Sequence, residues 1–281
     1  MPTDNLLLYR TAQGAIVQRG DLCFAIDRDW DELANDDALH DWLTSQCESL
    51  PHDASLATAI RQALAPIGRQ EVWAAGVTYS RSRTARMQEA QNAGGGNFYD
   101  RVYEAERPEI FFKATADRVV GPNQAMHLRS DSTWIVPEPE LAVLLTRRGT
   151  IIGYTVGNDL SCRDIEGENP LYLPQAKTYD RCAALGPGIL VTQQALHPDT
   201  AIRLNIRRGT QIISSDATAI GQMKRTLAEL AGFVFRDNSH PNGCFLMTGT
   251  GIVPDDNVTL MRGDVVDISI DGIGTLTNTM D

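Results

Sequence analysis

A proline stands between two glutamates at the head of the chain's richest apolar run, Trp134-Ile135-Val136-Pro137-Glu138-Pro139-Glu140-Leu141-Ala142-Val143-Leu144-Leu145. Pro139 fixes its own φ and lacks an amide hydrogen, so an extended strand is predicted here. Residues two apart in a strand point to one face, and Glu138 and Glu140 therefore project together. A second strand-like run over 151–156 follows Arg148-Gly149 and ends in Gly157-Asn158-Asp159. A hairpin centred on Arg148-Gly149 with an even-length loop sets Glu138 opposite Asp159 and Gly157 opposite Glu140. An odd-length loop shifts the pairing by one residue and separates them. Three converging carboxylates repel one another and are costly to desolvate, so the pattern calls for a hard divalent ion, Mg2+ first, with Mn2+ or Ca2+ as alternatives. The competing expectation is a solvated strand face on which Glu138 and Glu140 pair with surface arginines.

The chain has 281 residues, 42% of them hydrophobic and 22% charged, which is ordinary globular composition. Its 36 acidic residues against 25 basic give a net charge of −11, which argues against a nucleic-acid partner. Cys23, Cys47, Cys162, Cys182 and Cys244 lack C-x-x-C or zinc spacing and are expected to be reduced, mostly buried thiols. No secretory pattern and no apolar run of roughly 18 residues is found, so no membrane association and a cytoplasmic location are expected. Residues 6–27 alternate as hairpin strands. Trp30, Leu33, Leu39, Trp42 and Leu43 then recur at near-helical spacing. Ser55 is placed to cap a helix with Leu56, Ala59, Ile60, Ala63 and Leu64 inside, ended by Pro66 and Gly68. The predicted class is α+β, mainly β, with a small α+β N-terminal domain over 1–68 and a catalytic domain over 69–281. Within the latter, one polar helix is predicted over 80–93, stopping at Gly94-Gly95-Gly96, which serves either as a mobile flap or as a plain turn. A late helix is predicted over 223–234, with Met223, Leu227, Leu230 and Val234 on one face.

Only three of the 25 basic residues are lysines: Lys113, Lys177 and Lys224. Lys177 follows Asp159 closely through a loop-rich segment and can act as a base, hold a substrate anion, or lie on the surface. In Arg107-Pro108-Glu109-Ile110-Phe111-Phe112-Lys113-Ala114-Thr115, strand alternation puts Glu109, Phe111 and Lys113 on one side, either at a site or on a wet face. The glycine-rich turn Thr248-Gly249-Thr250-Gly251 offers backbone N–H groups and a hydroxyl to a carboxylate. The five histidines lack ligand or triad spacing, and no G-x-S-x-G, Walker or dinucleotide motif is present.

Taken in order, Glu138-Pro139-Glu140, Gly157-Asn158-Asp159-Leu160-Ser161-Cys162-Arg163-Asp164, Leu173-Pro174-Gln175-Ala176-Lys177, Thr248-Gly249-Thr250-Gly251 and Gly272-Ile273-Gly274-Thr275-Leu276 resemble the fumarylacetoacetate hydrolase family over roughly residues 70–281. The resemblance implies a mixed β-sandwich roll, a homodimer or larger homo-oligomer, and a divalent metal on Glu138, Glu140 and Asp159. Members that hydrolyse acylpyruvates or decarboxylate oxaloacetate carry Gly-x-Asn-Tyr-x-x-His-x-x-Glu. Here Gly76-Val77-Thr78-Tyr79-Ser80-Arg81-Ser82-Arg83-Thr84-Ala85 puts Ser82 and Ala85 at the His and Glu positions, so that pair cannot activate water. Gly76 to Ser80, Arg107 to Thr115 and Glu168 to Gln175 are instead similar to the family's 2-keto-3-deoxy-D-arabinonate dehydratase branch. This implies a small 2-oxo acid partner, a 2-keto-3-deoxy-pentonate derived from D-arabinonate or D-xylonate. Its dehydration gives 2,5-dioxopentanoate and water in oxidative pentose breakdown. Glu109 and Lys177 match the branch's catalytic acid and lysine; Thr250, Gly249 and Lys113 are expected at the substrate, with Arg163 and Asp164 bracing a metal ligand. A hydrolase or decarboxylase of the same family, or a binder without turnover, are the alternatives.

Overall fold

The alternation near the start of the chain forms an antiparallel meander of β1 (Leu6–Thr11), β2 (Gly14–Arg19) and β3 (Leu22–Ile26). The computed structural model describes residues 5–92 and 98–281. Gly94-Gly95-Gly96, the expected flap or turn, lies outside the described residues. Helices α1 (Trp30–Leu33), α2 (Leu39–Ser49) and α3 (Leu56–Ile60) follow, and α2 and α3 pack on the meander. The third is shorter than predicted, and Ser55 does not cap it. Ser55 is itself helical, and its N–H and hydroxyl donate to Asp53 at 2.8 and 2.7 Å. Beyond Ile60 the chain leaves the helix, and the Leu64 N–H donates to Arg10 O of β1 at 2.8 Å.

The chain continues through β4 (Glu71–Gly76), α4 (Ser80–Asn92), α5 (Phe98–Glu104) and β5 (Glu109–Ala114). Three two-residue strands, β6 (Val119–Val120), β7 (Ala125–Met126) and β8 (Ile135–Val136), lead into the hairpin of β9 (Pro139–Leu145) and β10 (Ile151–Asp159). After β11 (Ser161–Cys162) come two short helices, α6 (Arg163–Glu168) and α7 (Leu173–Lys177), where the sequence indicated loop. The remainder is β12 (Ala183–Val191), β13 (Ala201–Arg208), β14 (Gln211–Ala219), α8 (Leu227–Val234), β15 (Cys244–Met247), β16 (Val265–Ile270) and β17 (Gly274–Met280). The last helix begins at Leu227, not Met223, because Thr226 is extended and its hydroxyl accepts from Glu229 N at 3.1 Å.

Among the described residues the strands form a mixed ten-stranded sheet, ordered β3-β2-β1-β12-β10-β9-β15-β4-β5 with β6 on β12. A five-stranded sheet, β14-β13-β16-β17-β7, packs against it through contacts of β16 and β17 on β10, β17 on β12, and β13 on β9. This is the expected mainly β, mixed sandwich roll. Because β1 pairs with β12, the N-terminal meander extends the large sheet. We propose the domain boundary between residues 68 and 69, in the irregular link between α3 and β4. Among the described residues no helix is long and apolar enough to cross a membrane.

The hairpin carrying the acids reaches the predicted register by an unforeseen route. Ile151 pairs with Leu145 around an odd loop, residues 146–150, in which the Thr146 N–H donates to Thr150 O at 2.9 Å. Gly153 then pairs with Leu144, so Ile152 is an extra residue that cancels the shift. Gly157 consequently faces Glu140, and Asp159 N donates to Glu138 O at 3.1 Å. A Cβ built on Gly157 would lie 3.2 Å from Met247 Cε and Cγ and 3.4 Å from Ala142 Cβ. Gly157→Val therefore overpacks this face and is expected to cost about 1–3 kcal/mol, read as a lower urea midpoint at unchanged slope.

Candidate active site

Glu138, Glu140 and Asp159 stand at the adjoining ends of β9 and β10 and are 4%, 1% and 1% exposed. One oxygen from each lies within 4.8 Å of the others, which rules out the solvated strand face. Three cations enclose them. Lys177, at the end of α7, donates from Nζ to Glu138 Oε2 at 2.5 Å, Ser161 Oγ at 2.6 Å and Asp159 Oδ2 at 3.1 Å. Arg163 Nη2 lies 3.1 Å from Glu138 Oε1, and its Nη1 lies 3.8 Å from Glu166 Oε2 one helical turn on. Lys113 Nζ contacts Asp159 Oδ1 at 2.5 Å, Lys177 O at 2.5 Å and Leu160 O at 2.9 Å.

Glu140 is the exception to this pairing. Burial, then the charges of Asp159 and Glu138, push its carboxyl well above the usual range, against the pull of Lys177 and of the Gly249 N–H. That N–H donates to Glu140 Oε2 at 2.5 Å. Gly249 has φ +90°, and a Cβ there would run into Thr78 Oγ1 and approach Ala75 O to 2.9 Å, so the close approach requires glycine.

A small cavity opens over the carboxylates. The expected site residues Glu109, Lys177, Gly249 and Thr250 line it together with Glu138, Glu140 and Asp159. Glu109 opens β5 in register with Gly76 of β4, where a Cβ would collide with its carboxylate. Beside it, Phe111 presents its ring 5.5 Å from Lys177 Nζ. The Thr250 hydroxyl accepts from Ile252 N at 3.1 Å, which fixes the turn at the cavity wall.

Lys113 is placed differently from the expectation. It is fully buried behind the carboxylates and does not line the cavity. In β5, Ala114 pairs with Val72 and Phe112 with Trp73, leaving Lys113 in a bulge that re-aims its side chain toward Asp159. Ser82 of α4 and Glu166 of α6 line the cavity and were not singled out as site residues by sequence. The spacing of Glu166 three residues after Arg163 was the available signal, since it puts both on one helix face once the segment is helical. Ser82, whose hydroxyl donates to Tyr79 O at 2.8 Å, stands where a histidine was looked for. Asp164 accepts from Ser132 Oγ and from Thr133 N, both at 2.6 Å, which ties the start of α6 to the segment before β8.

Comparison with known proteins agrees with this geometry. The fumarylacetoacetate (FAA) hydrolase C-terminal family matches residues 71–281. The chain is 48% identical over 221 residues to a probable 2-keto-3-deoxyxylonate dehydratase of Haloferax volcanii, covering 78% of this chain and 75% of the relative. It is 44% identical over 213 residues to the 2-dehydro-3-deoxy-D-arabinonate dehydratase of Saccharolobus solfataricus, covering 75% and 72%. A solved structure of 2-keto-3-deoxy-D-arabinonate dehydratase complexed with magnesium and 2,5-dioxopentanoate superposes with a TM-score of 0.81 at 34% identity, over 99% of this chain and 98% of that one. The chain belongs to the fumarylacetoacetate hydrolase family.

Proposed function

We propose that this protein is a Mg2+-dependent hydro-lyase that converts a 2-keto-3-deoxy-pentonate into 2,5-dioxopentanoate and water. The observation that carries this is the joining, in one cavity, of a buried three-carboxylate cluster, Lys177 and Glu109. The similarity to two named dehydratases supports the substrate class. In such an acid C2 is a ketone and C3 a methylene, so C4 is the only stereocentre; D-arabinonate and D-xylonate therefore give the same compound.

The donor set fits a hard divalent ion: three carboxylates, all oxygen, buried and open to a cavity on one side. Held by Glu138, Glu140 and Asp159, Mg2+ supplies Lewis-acid polarisation of the substrate's 2-oxo group. As the neutral amine, Lys177 Nζ takes a proton from C3. Glu109, in the same cavity, gives a proton to the C4 hydroxyl, which departs as water; a proton shift from C5 to C3 leaves the enol of C4 and C5, and its hydroxyl proton moves to C4 to give the aldehyde. Gly249 and Thr250 hold the substrate's carboxylate, while Lys113 keeps Asp159 and α7 in place. The family's hydrolytic and decarboxylating chemistry is disfavoured by Ser82 and Ala85 at the dyad positions. A reducing cytoplasm suits the five free thiols. Leu171 at 83% and Ile212 at 63% exposure offer apolar surface for a homo-oligomer.

With Mg2+, the purified protein is expected to form 2,5-dioxopentanoate from 2-keto-3-deoxy-D-pentonate and to leave acylpyruvate and oxaloacetate unchanged; pyruvate release from either would favour the second chemistry. Glu109→Gln and Lys177→Ala should each lower kcat by about 10²–10⁴-fold with metal bound, and near-full turnover in either removes that residue from the mechanism. A third expectation concerns stability in chelator. There Glu140 keeps its proton to higher pH folded than unfolded, so this stabilisation is complete below about pH 4.3 and is lost as pH rises through the raised folded value. Glu140→Gln removes that loss. Its Tm in EDTA should exceed that of the unsubstituted protein by a margin that grows with pH. Mg2+ at a hundredfold excess over Kd should add about 2.7 kcal/mol to the unsubstituted protein and far less to the variant.

A further inference from the structure

Of the three lysines, Lys113 and Lys177 belong to the acidic cluster, which leaves Lys224 and its neighbour Arg225. We propose that Arg225, assisted by Lys224, is a positioning residue for Glu109: it clamps the carbonyl end of α5 so that β5 begins with the Glu109 carboxylate in the cavity. The inference rests on the assignment of Glu109 as the acid.

The last carbonyls of a helix lack partners within it and form the negative end of its dipole, where cations are favoured. α5 ends at Glu104, and the chain passes through residues 105–108 straight into β5. Arg225 Nη2 donates to Val102 O at 3.2 Å and Ala105 O at 2.5 Å, and its Nη1 donates to Glu106 O at 2.9 Å. Lys224 Nζ donates to Tyr103 O at 2.6 Å and lies 4.2 Å from the Tyr103 ring centroid. Glu229 and Glu104 hold the two cations in turn, at 2.6 and 2.9 Å. The Arg225 side chain is only 9% exposed, and its planar fork serves three carbonyls and a carboxylate at once, which a lysine cannot do.

The clamp is fastened to the site on its other side. Lys224 N donates to Thr78 O at 2.9 Å, and the Thr78 hydroxyl donates to Thr248 O at 2.7 Å, beside Gly249. Gly76, two residues before Thr78, is the register partner of Glu109. Arg225 thus ties the segment just before Glu109 to the frame that holds Gly249 in the cavity lining. Only Arg107 and Pro108 separate the last clamped carbonyl from Glu109, so release at Glu106 is transmitted to the acid. A misplacement of about 1 Å at a reacting group can cost on the order of 10²-fold in rate.

The test compares Arg225→Ala, Arg225→Lys, Lys224→Ala and Glu109→Gln in the Mg2+-saturated protein, reading kcat, KM and exchange of the substrate's C3 protons with deuterium oxide by NMR. Expected are a fall in kcat of about 10–100-fold for Arg225→Ala, a smaller fall for Lys224→Ala, partial recovery with lysine at 225, and unchanged KM and C3 exchange throughout. Adding Arg225→Ala to Glu109→Gln should lower kcat little further, because both act on one step. Equal loss of kcat and C3 exchange would assign Arg225 a general structural role and overturn the proposal. So would an undiminished rate. If Arg225→Ala does not fold, the lysine and Lys224 variants decide: wild-type kcat in both overturns the clamp. Glu109→Gln at full rate would instead sink the assignment of Glu109 itself, whereas an impaired Glu109→Gln beside a normal Arg225→Ala sinks this inference alone.

Discussion

Six ionisable side chains, Glu138, Glu140, Asp159, Lys113, Lys177 and Arg163, are each at most 4% exposed, and the rest of the molecule is organised around keeping them there. The effective penalty for burying an ion is several kcal/mol, and removing one partner of a buried pair typically costs about 3–5 kcal/mol. Such a cluster survives only where each group finds partners at hydrogen-bond distance. The β9–β10 register supplies two carboxylates on one face and a third across from them. The α6–α7 segment brings Arg163 and Lys177, and the β5 bulge brings Lys113. Loss of any of these features strands a charge in the interior, so the fold and the site are specified together.

The two cations on Asp159 divide their work. Lys113 reaches Oδ1 from behind, and Lys177 reaches Oδ2 from the cavity side. By also accepting from Lys113, the Lys177 carbonyl links α7 to β5. β5 therefore carries the proposed acid at its first residue and, four positions later, the lysine that fixes the proposed base against a metal ligand. Glu109 and Lys177 line one cavity from a strand and a helix end, both rigid elements, which is what proton transfer at two adjacent carbons requires.

The acidic cluster was legible because strand alternation and hairpin symmetry are short-range rules acting on a few residues around Pro139. The same rules failed where compensation was tertiary. The loop over 146–150 is odd, and only the extra Ile152 restores the pairing; nothing in Thr146-Arg147-Arg148-Gly149-Thr150 announces it. Lys113 obeyed alternation on paper, yet the β5 bulge sends it behind the site, because a buried ammonium gains more from Asp159 and two carbonyls than from a place on the cavity wall. Met223 matches a helical face by spacing, but it lies in extended backbone, and Thr226 accepts from the Glu229 N–H to cap a helix that starts at Leu227, four residues later. Glu166 and Ser82 line the cavity only because their helices lie over it, a tertiary placement that local sequence does not encode.

The charge on the chain as a whole, −11, does not oppose an anionic substrate, because fields from distant surface charges are screened over about 8 Å at physiological ionic strength. What decides is the count inside the cavity. Five carboxylates, Glu109, Glu138, Glu140, Asp159 and Glu166, line it against Lys177 on the wall and Lys113 and Arg163 behind. Without a divalent ion that is an excess of negative charge, and burial with the neighbouring acids pushes the Glu140 carboxyl up. With Mg2+ in place, Glu109 carrying the proton proposed for it and Lys177 neutral as the proposed base, four carboxylates face two cations and two further positive charges. The count is then balanced before the single carboxylate of a 2-oxo monoacid enters. An ionised Glu109 would set a further negative charge against that carboxylate, so the proton that would equip Glu109 as the proposed acid also favours binding.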